Sequence, residues 1–196
     1  MKFNKLYHFY IIAILVIVID QAVKMAIYSN MYISEEIRVL GDWFKLRCTL
    51  NPGMAFGLII PGAYGKIILS LFRVFAMIGI GYYIAKLYKD KAHKGFLICV
   101  ALIFGGAIGN LLDSIFYGYL DPLLLVDDAP MKLFHGQVID MFFFDLSKGF
   151  IPSNWPLIGG LHYSFPIFNI ADTAIFLSVC TILIQQKHFF KKPTVS

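Results

Sequence analysis

Charge is scarce in this chain. Asp, Glu, Lys and Arg make up 15% of its 196 residues, against about a quarter in soluble domains. With 59% of residues hydrophobic, that shortage excludes an ordinary soluble domain and leaves a membrane protein. Cysteine is scarce too. Cys48, Cys99 and Cys180 are scattered without a C-x-x-C, which excludes a disulfide framework or zinc site and leaves them as packing residues. His8, His93, His135, His162 and His188 show no ligand spacing, and four of the five are expected in solvent or at the interface. No metal and no cofactor is expected. Internal repeats and low-complexity tracts are lacking, and the chain is too short for a sizeable separate soluble domain.

What is present is apolar length. A bilayer core roughly 30 Å thick needs about 20 apolar residues to cross. Four segments qualify, at about 9–28, 67–85, 96–116 and 165–184, although Asp20 and Lys24 interrupt the first. The expected fold is a single four-helix membrane domain over 1–196, with two substantial loops at 29–66 and 117–164. The core Phe9–Ile19 would suit a signal peptide, but no small-x-small pattern follows it, so an uncleaved span is expected.

The formal net charge of +5 does not point to nucleic acid, because of where the charges fall. Lys2, Lys5, Lys86, Lys89, Lys91, Lys94, Lys187, Lys191 and Lys192 flank one side, accompanied by one acid, Asp90. The two loops hold Glu35, Glu36, Asp42, Asp121, Asp127, Asp128, Asp140 and Asp145. The positive-inside rule then puts both termini in the cytoplasm and both loops outside. In the first loop, "IRVLGDWFKLRCTL" reads as a hairpin turning at Gly41-Asp42. The apolar piece after Pro52-Gly53, ending at Pro61, is too short to span and suits the interface.

Depth separates the acids. Asp20 and Lys24, spaced i, i+4 on one face, lie in the outer half of the first helix. Asn110 and Asp113 reach the outer end of the third, and Asn169 and Asp172 lie in the first turns of the fourth. Asp140 sits in the outer loop among Val138, Ile139, Met141 and Phe142. Each has a plainer reading. Asn169 and Asp172 suit a helix cap with an acid in the first turn, and Asp20 with Lys24 suits a structural ion pair. Asn110 and Asp113 suit a wetted helix end, and Gly105 with Gly109 suits close helix packing. Together, however, the carboxyls, amides and lysine converge at one depth, which marks a candidate site.

Two neighbouring carboxyls cannot both ionise cheaply, so they share a proton. One then deprotonates a water while the other protonates a carbonyl oxygen, which is aspartic-protease chemistry. Pattern alone does not single out a protease over a transporter, since intramembrane acids also serve proton relays. A small proton- or ion-coupled carrier is the main rival, though it lacks an inverted repeat. A non-catalytic membrane scaffold is the other.

Five stretches in order decide between them: "DQAVK" at 20–24, "NPGMAFG" at 51–57, "GGAIGNLLD" at 105–113, "GQVIDMF" at 136–142 and "FPIFNIADTAI" at 165–175. With them the chain resembles the bacterial lipoprotein signal peptidases (signal peptidase II) over most of its length. The resemblance implies an inner-membrane aspartyl endopeptidase that cuts prolipoproteins before a diacylglyceryl-modified cysteine. It implies catalytic aspartates at Asp140 and Asp172, supported by Asp20, Lys24, Asn51, Gly53, Asn110, Asp113 and Asn169. It also implies a small periplasmic β-sheet, at 36–50, and a short interfacial helix, at 54–60. Where the family commonly has an arginine after its "NLID", this chain has Ser114, which leaves Arg47 or Arg73 to supply that cation. The segments 119–135 and 143–164 look longer than is typical. A monomer in membrane lipid, acting on a lipidated prolipoprotein and not on nucleic acid, is expected.

Overall fold

The computed structural model describes residues 5–52, 64–146, 148–150, 160 and 162–191. Four helices are long and apolar enough to cross a membrane: α1 (Tyr7–Asn30), α2 (Gly65–Lys89), α3 (Lys94–Leu120) and α4 (Ile170–Phe189). Three overlap the expected spans and extend a few residues past them. The fourth is a correction, because residues 165–168 are not helical and the helix starts five residues later than expected. Asn169 explains the start. Its side chain accepts from the N–H of Asp172, and Asp172 returns a contact to the N–H of Asn169, closing a capping box.

Helix α3 is the hub, packing against α1, α2 and α4. Half of its apolar window is buried, whereas the other three helices expose most of theirs. Ile14, Val18, Phe72, Phe75, Phe176 and Ile184 all face outward, as lipid-facing residues do. Glycines let the hub sit close to its neighbours. A Cβ at Gly105 would stand 2.7 Å from the carbonyl oxygen of Ala13 on α1. One at Gly106 would stand 2.5 Å from that of Ala171 on α4. The expected close packing at Gly105 therefore extends to Gly106, with the two glycines serving different partners. Toward the lysine-rich end, Phe9, Ile84, Leu97, Val100 and Ala101 form an apolar core.

At the other end lies a three-stranded antiparallel sheet, β1 (Glu36–Leu40), β2 (Phe44–Asn51) and β3 (Val138–Phe144), in that order. The expected hairpin is β1–β2, and Gly41 turns it with φ +51°. The third strand comes from nearly a hundred residues away, placing Thr49 opposite Asp140. A second small pairing joins β4 (Lys148–Phe150) to β5 (His162–Ser164). The proposed interfacial helix at 54–60 and Gly53 lie outside the described residues.

The phenylalanine run of β3 fixes where the sheet sits. Phe144 stacks on Phe44 at 5.0 Å and on Phe168 at 5.6 Å, and Phe142 lies 5.7 Å from Phe168. Backbone bonds reinforce this: Phe142 N–H donates to the Phe168 carbonyl at 2.8 Å, and Phe168 N–H returns to Phe142 at 3.1 Å. The extended residues before α4 are thus bonded to β3. That bridge sets Asp140 beside the start of α4.

Candidate active site

Helix α1 turns Asp20 and Lys24 inward, and both are fully buried. A buried ammonium has three protons to place. Lys24 Nζ places them on Asp113 Oδ2 at 2.6 Å, Asp20 Oδ2 at 2.7 Å and Asn110 Oδ1 at 2.8 Å. Asp113 is fully buried as well, which rules out the wetted helix end. Asp20 also reaches α4, since its Oδ1 accepts the Ala171 N–H at 2.9 Å. A carboxylate suits that position, facing the positive end of the helix.

The two candidate catalytic carboxyls hang on the amides next to this lysine. Asn169 Nδ2 donates to Asp140 Oδ1 at 2.6 Å and to Asn110 Oδ1 at 3.0 Å. Asn110 Nδ2 donates to Asp172 Oδ1 at 2.8 Å. Asn51, at the end of β2, donates to Asp140 Oδ2 at 2.9 Å. Asp140 and Asp172 thus come from a strand and a helix, joined through two asparagines that α3 and α4 supply. Lys24 fixes the Asn110 amide by claiming its oxygen, and the Asp172 N–H fixes the Asn169 amide in the same way. Burial pushes the Asp140 carboxyl up to about 7, against the Asn51 hydrogen bond and with help from the negative charge of Asp172. A carboxyl in that range can keep a proton near neutrality and donate it.

The described residues expected at the site (Asp20, Lys24, Asn51, Asn110, Asp113, Asp140, Asn169 and Asp172) all belong to one hydrogen-bonded network. Asn169 is a helix cap, as its plainer reading expects, and it also bonds the Asp140 carboxyl. Two more polar side chains join the network, and a buried lysine holds the backbone just before β3. Gln21 donates to Asp113 Oδ1 at 2.7 Å, and Tyr117 donates to Gln21 Oε1 at 3.0 Å. Lys66, buried at the start of α2, donates to the Gly136 carbonyl at 2.6 Å, two residues before β3. Their only sequence signal is polarity within an apolar helix.

Ser114 does not hold a substitute for a cation: it is fully buried, and its hydroxyl donates to Asn110 O at 3.2 Å. Of the two arginines considered, Arg47 pairs with Glu36 at 3.4 Å in the sheet. Arg73 interacts electrostatically with Asp172 and lies on the α2 face that buries Lys66 and Ser70. Among the described residues, no group of three His, Cys, Asp or Glu side chains is arranged to hold a metal ion.

Four spans carrying an open sheet at one end, with acids buried beneath the sheet, define a polytopic membrane protein with an enclosed polar site. Two solved structures, each described as a bacterial membrane enzyme structure by the in meso method, share the fold. The one at 1.9 Å resolution has a TM-score of 0.58 and 23% identity, covering 91% of this chain and 92% of its own. The one at 2.3 Å has a TM-score of 0.59 and 22% identity, covering 96% and 94%. Residues 12–188 match the family model for signal peptidase (SPase) II. A lipoprotein signal peptidase of Amoebophilus asiaticus is 42% identical over 97% of this chain and 82% of its own length. One from Porphyromonas gingivalis is 37% identical over 87% and 79%. The chain belongs to the signal peptidase II family, hydrolases of the aspartic-protease type.

Replacing Lys24 by Met tests the buried ion pairs. It leaves Asp20 and Asp113 buried without their cation, a loss that typically costs about 3–5 kcal/mol. Thermal unfolding in detergent should show a large drop in midpoint, and a melt matching wild type would contradict the assignment.

Proposed function

We propose that the chain removes signal peptides from prolipoproteins, cutting before a lipid-modified cysteine, with Asp140 and Asp172 as the catalytic pair. The observation that carries this is the joint anchoring of two carboxyls from different elements on Asn169 and Asn110. Membership of the signal peptidase II family supports the substrate class. The carrier reading has no comparable support.

The chemistry follows from the environments. Asp140 holds the proton, in keeping with a carboxyl pushed up to about 7 by burial. Asp172, which accepts from Asn110, is the base. Asp172 takes a proton from water as that oxygen attacks the scissile carbonyl carbon, and Asp140 gives its proton to the carbonyl oxygen. The tetrahedral diol then collapses as Asp140 takes back the proton of one hydroxyl and Asp172 gives its proton to the departing amine. Both carboxyls finish as they began. Asn51, Asn110 and Asn169 orient the pair, and Asp20, Lys24 and Asp113 hold those amides in place.

The site lies at the sheet end of the bundle, and the lysines crowd the other end. We assign the sheet end to the outer face of the bacterial cytoplasmic membrane and both termini to the cytoplasm, since basic flanks stay inside. A substrate anchored by its lipid would then present its cut bond at the depth of Asp140 and Asp172. Reporter fusions should read cytoplasmic at Lys91 and external near Asp128, and a cytoplasmic reading at Asp128 would overturn this orientation.

The catalytic assignment is tested with purified protein and a lipidated precursor followed by mobility shift. Asp140→Asn and Asp172→Asn keep size and most hydrogen bonds but remove the exchangeable proton. Each should lose at least about 10²–10⁴-fold in rate while staying folded. Near-normal cleavage by folded Asp140→Asn would remove it from the mechanism.

A further inference from the structure

The lysine-rich end of the bundle holds a cavity of about 410 Å³ that the peptidase chemistry does not use. Phe9 of α1, Tyr88 of α2 and Leu97 of α3 give it an apolar floor, and Lys89, Lys91 and Lys94 rim it. Phe9 and Leu97 are buried, whereas all three lysines are exposed. It lies roughly 20 Å along α3 from Asn110, at 1.5 Å per residue. Asp90, the nearest acid in sequence, is not among the lining residues.

The turn that builds the rim is unusual. After α2, the Ala92 N–H donates to the Leu87 carbonyl at 2.9 Å and the Lys91 N–H donates to Tyr88 at 3.1 Å. This is the closure that normally places glycine in the left-handed conformation. Here the residue is Lys91, at φ +54°. Glycine would relax that backbone, so local folding does not account for lysine. What the lysine adds is a cation held at the mouth of the cavity.

We propose that this cavity binds the headgroup phosphate of an anionic phospholipid, with Lys89, Lys91 and Lys94 on the phosphate and the glycerol end over Phe9, Tyr88 and Leu97. The pairing of an apolar floor with a basic rim, at the end of a membrane helix bundle, fits a lipid better than a free anion. Basic pockets between spanning helices recognise such headgroups, and each nearby lysine adds several-fold in affinity. The site stands apart from Asp140 and Asp172 and does not depend on their role.

The test uses the full chain in nanodiscs and detergent, with lipid retention counted by native mass spectrometry. Wild type should retain phosphatidylglycerol at least about tenfold better than phosphatidylcholine. The combined variant Lys89→Gln, Lys91→Gly, Lys94→Gln should lose most of that preference. A variant losing the same charge at the same end, Lys86→Gln, Lys187→Gln, Lys191→Gln, should keep it. Lys91→Gly alone should melt no lower than wild type yet bind phosphatidylglycerol several-fold less well. Retained preference in the rim variant would overturn the proposal. So would equal loss in the control variant, which would mean diffuse attraction, or displacement of the lipid by inorganic phosphate at millimolar level.

Discussion

The buried polar network at the sheet end turns on satisfying the ammonium of Lys24. Lys24 sits in a helix built for lipid, and its three N–H groups must each find an acceptor. Asp20 supplies one from the next turn of the same helix, and α3 supplies the other two through Asn110 and Asp113. Once Asn110 has its oxygen committed to Lys24, its amide N–H groups are free to turn on Asp172. Asp20 in turn receives the backbone of α4 at Ala171. Three helices are locked by one cation, and the orientation of the candidate catalytic pair follows.

That dependence accounts for what was legible in the sequence. Asp20 and Lys24 share a face because they are four residues apart, and Asn110 with Asp113 share one because they are three apart. Period alone therefore shows them as pairs. The four spans follow from apolar length, and the β1–β2 hairpin from its turn at Gly41. Asn169 was legible as a cap, and the capping box joins it to Asp172.

Other features need the fold. Residues 165–168 are apolar enough to read as helix, yet Phe168 pairs its backbone with Phe142 and the chain stays extended there. Local sequence does not announce a partner twenty-six positions away. The same holds for Lys66, whose acceptor is the carbonyl of Gly136, and for Gln21, whose partners lie on α3. Lys66, Ser70 and Arg73 stand at i, i+4 and i+7 on one face of α2. What that face looks upon is not written in the spacing.

Burial gives the account its chemistry. Were the site wet, Asp140 would ionise near pH 4 like an ordinary carboxyl. Enclosed between β2, α3 and α4, it is pushed up to about 7 and can act as an acid where an aspartate normally cannot. An acid of this kind is protonated below about 7 and gives up its proton above it. In the proposed mechanism Asp172, as the base, sets the opposite limb. The most direct test of the account is the pH dependence of lipidated-precursor cleavage in detergent. The shared-proton pair should give a bell whose alkaline limb falls through about pH 7, with the rate declining roughly tenfold per unit beyond it. A rate that stays level from well below neutrality to well above it would contradict the shared-proton pair.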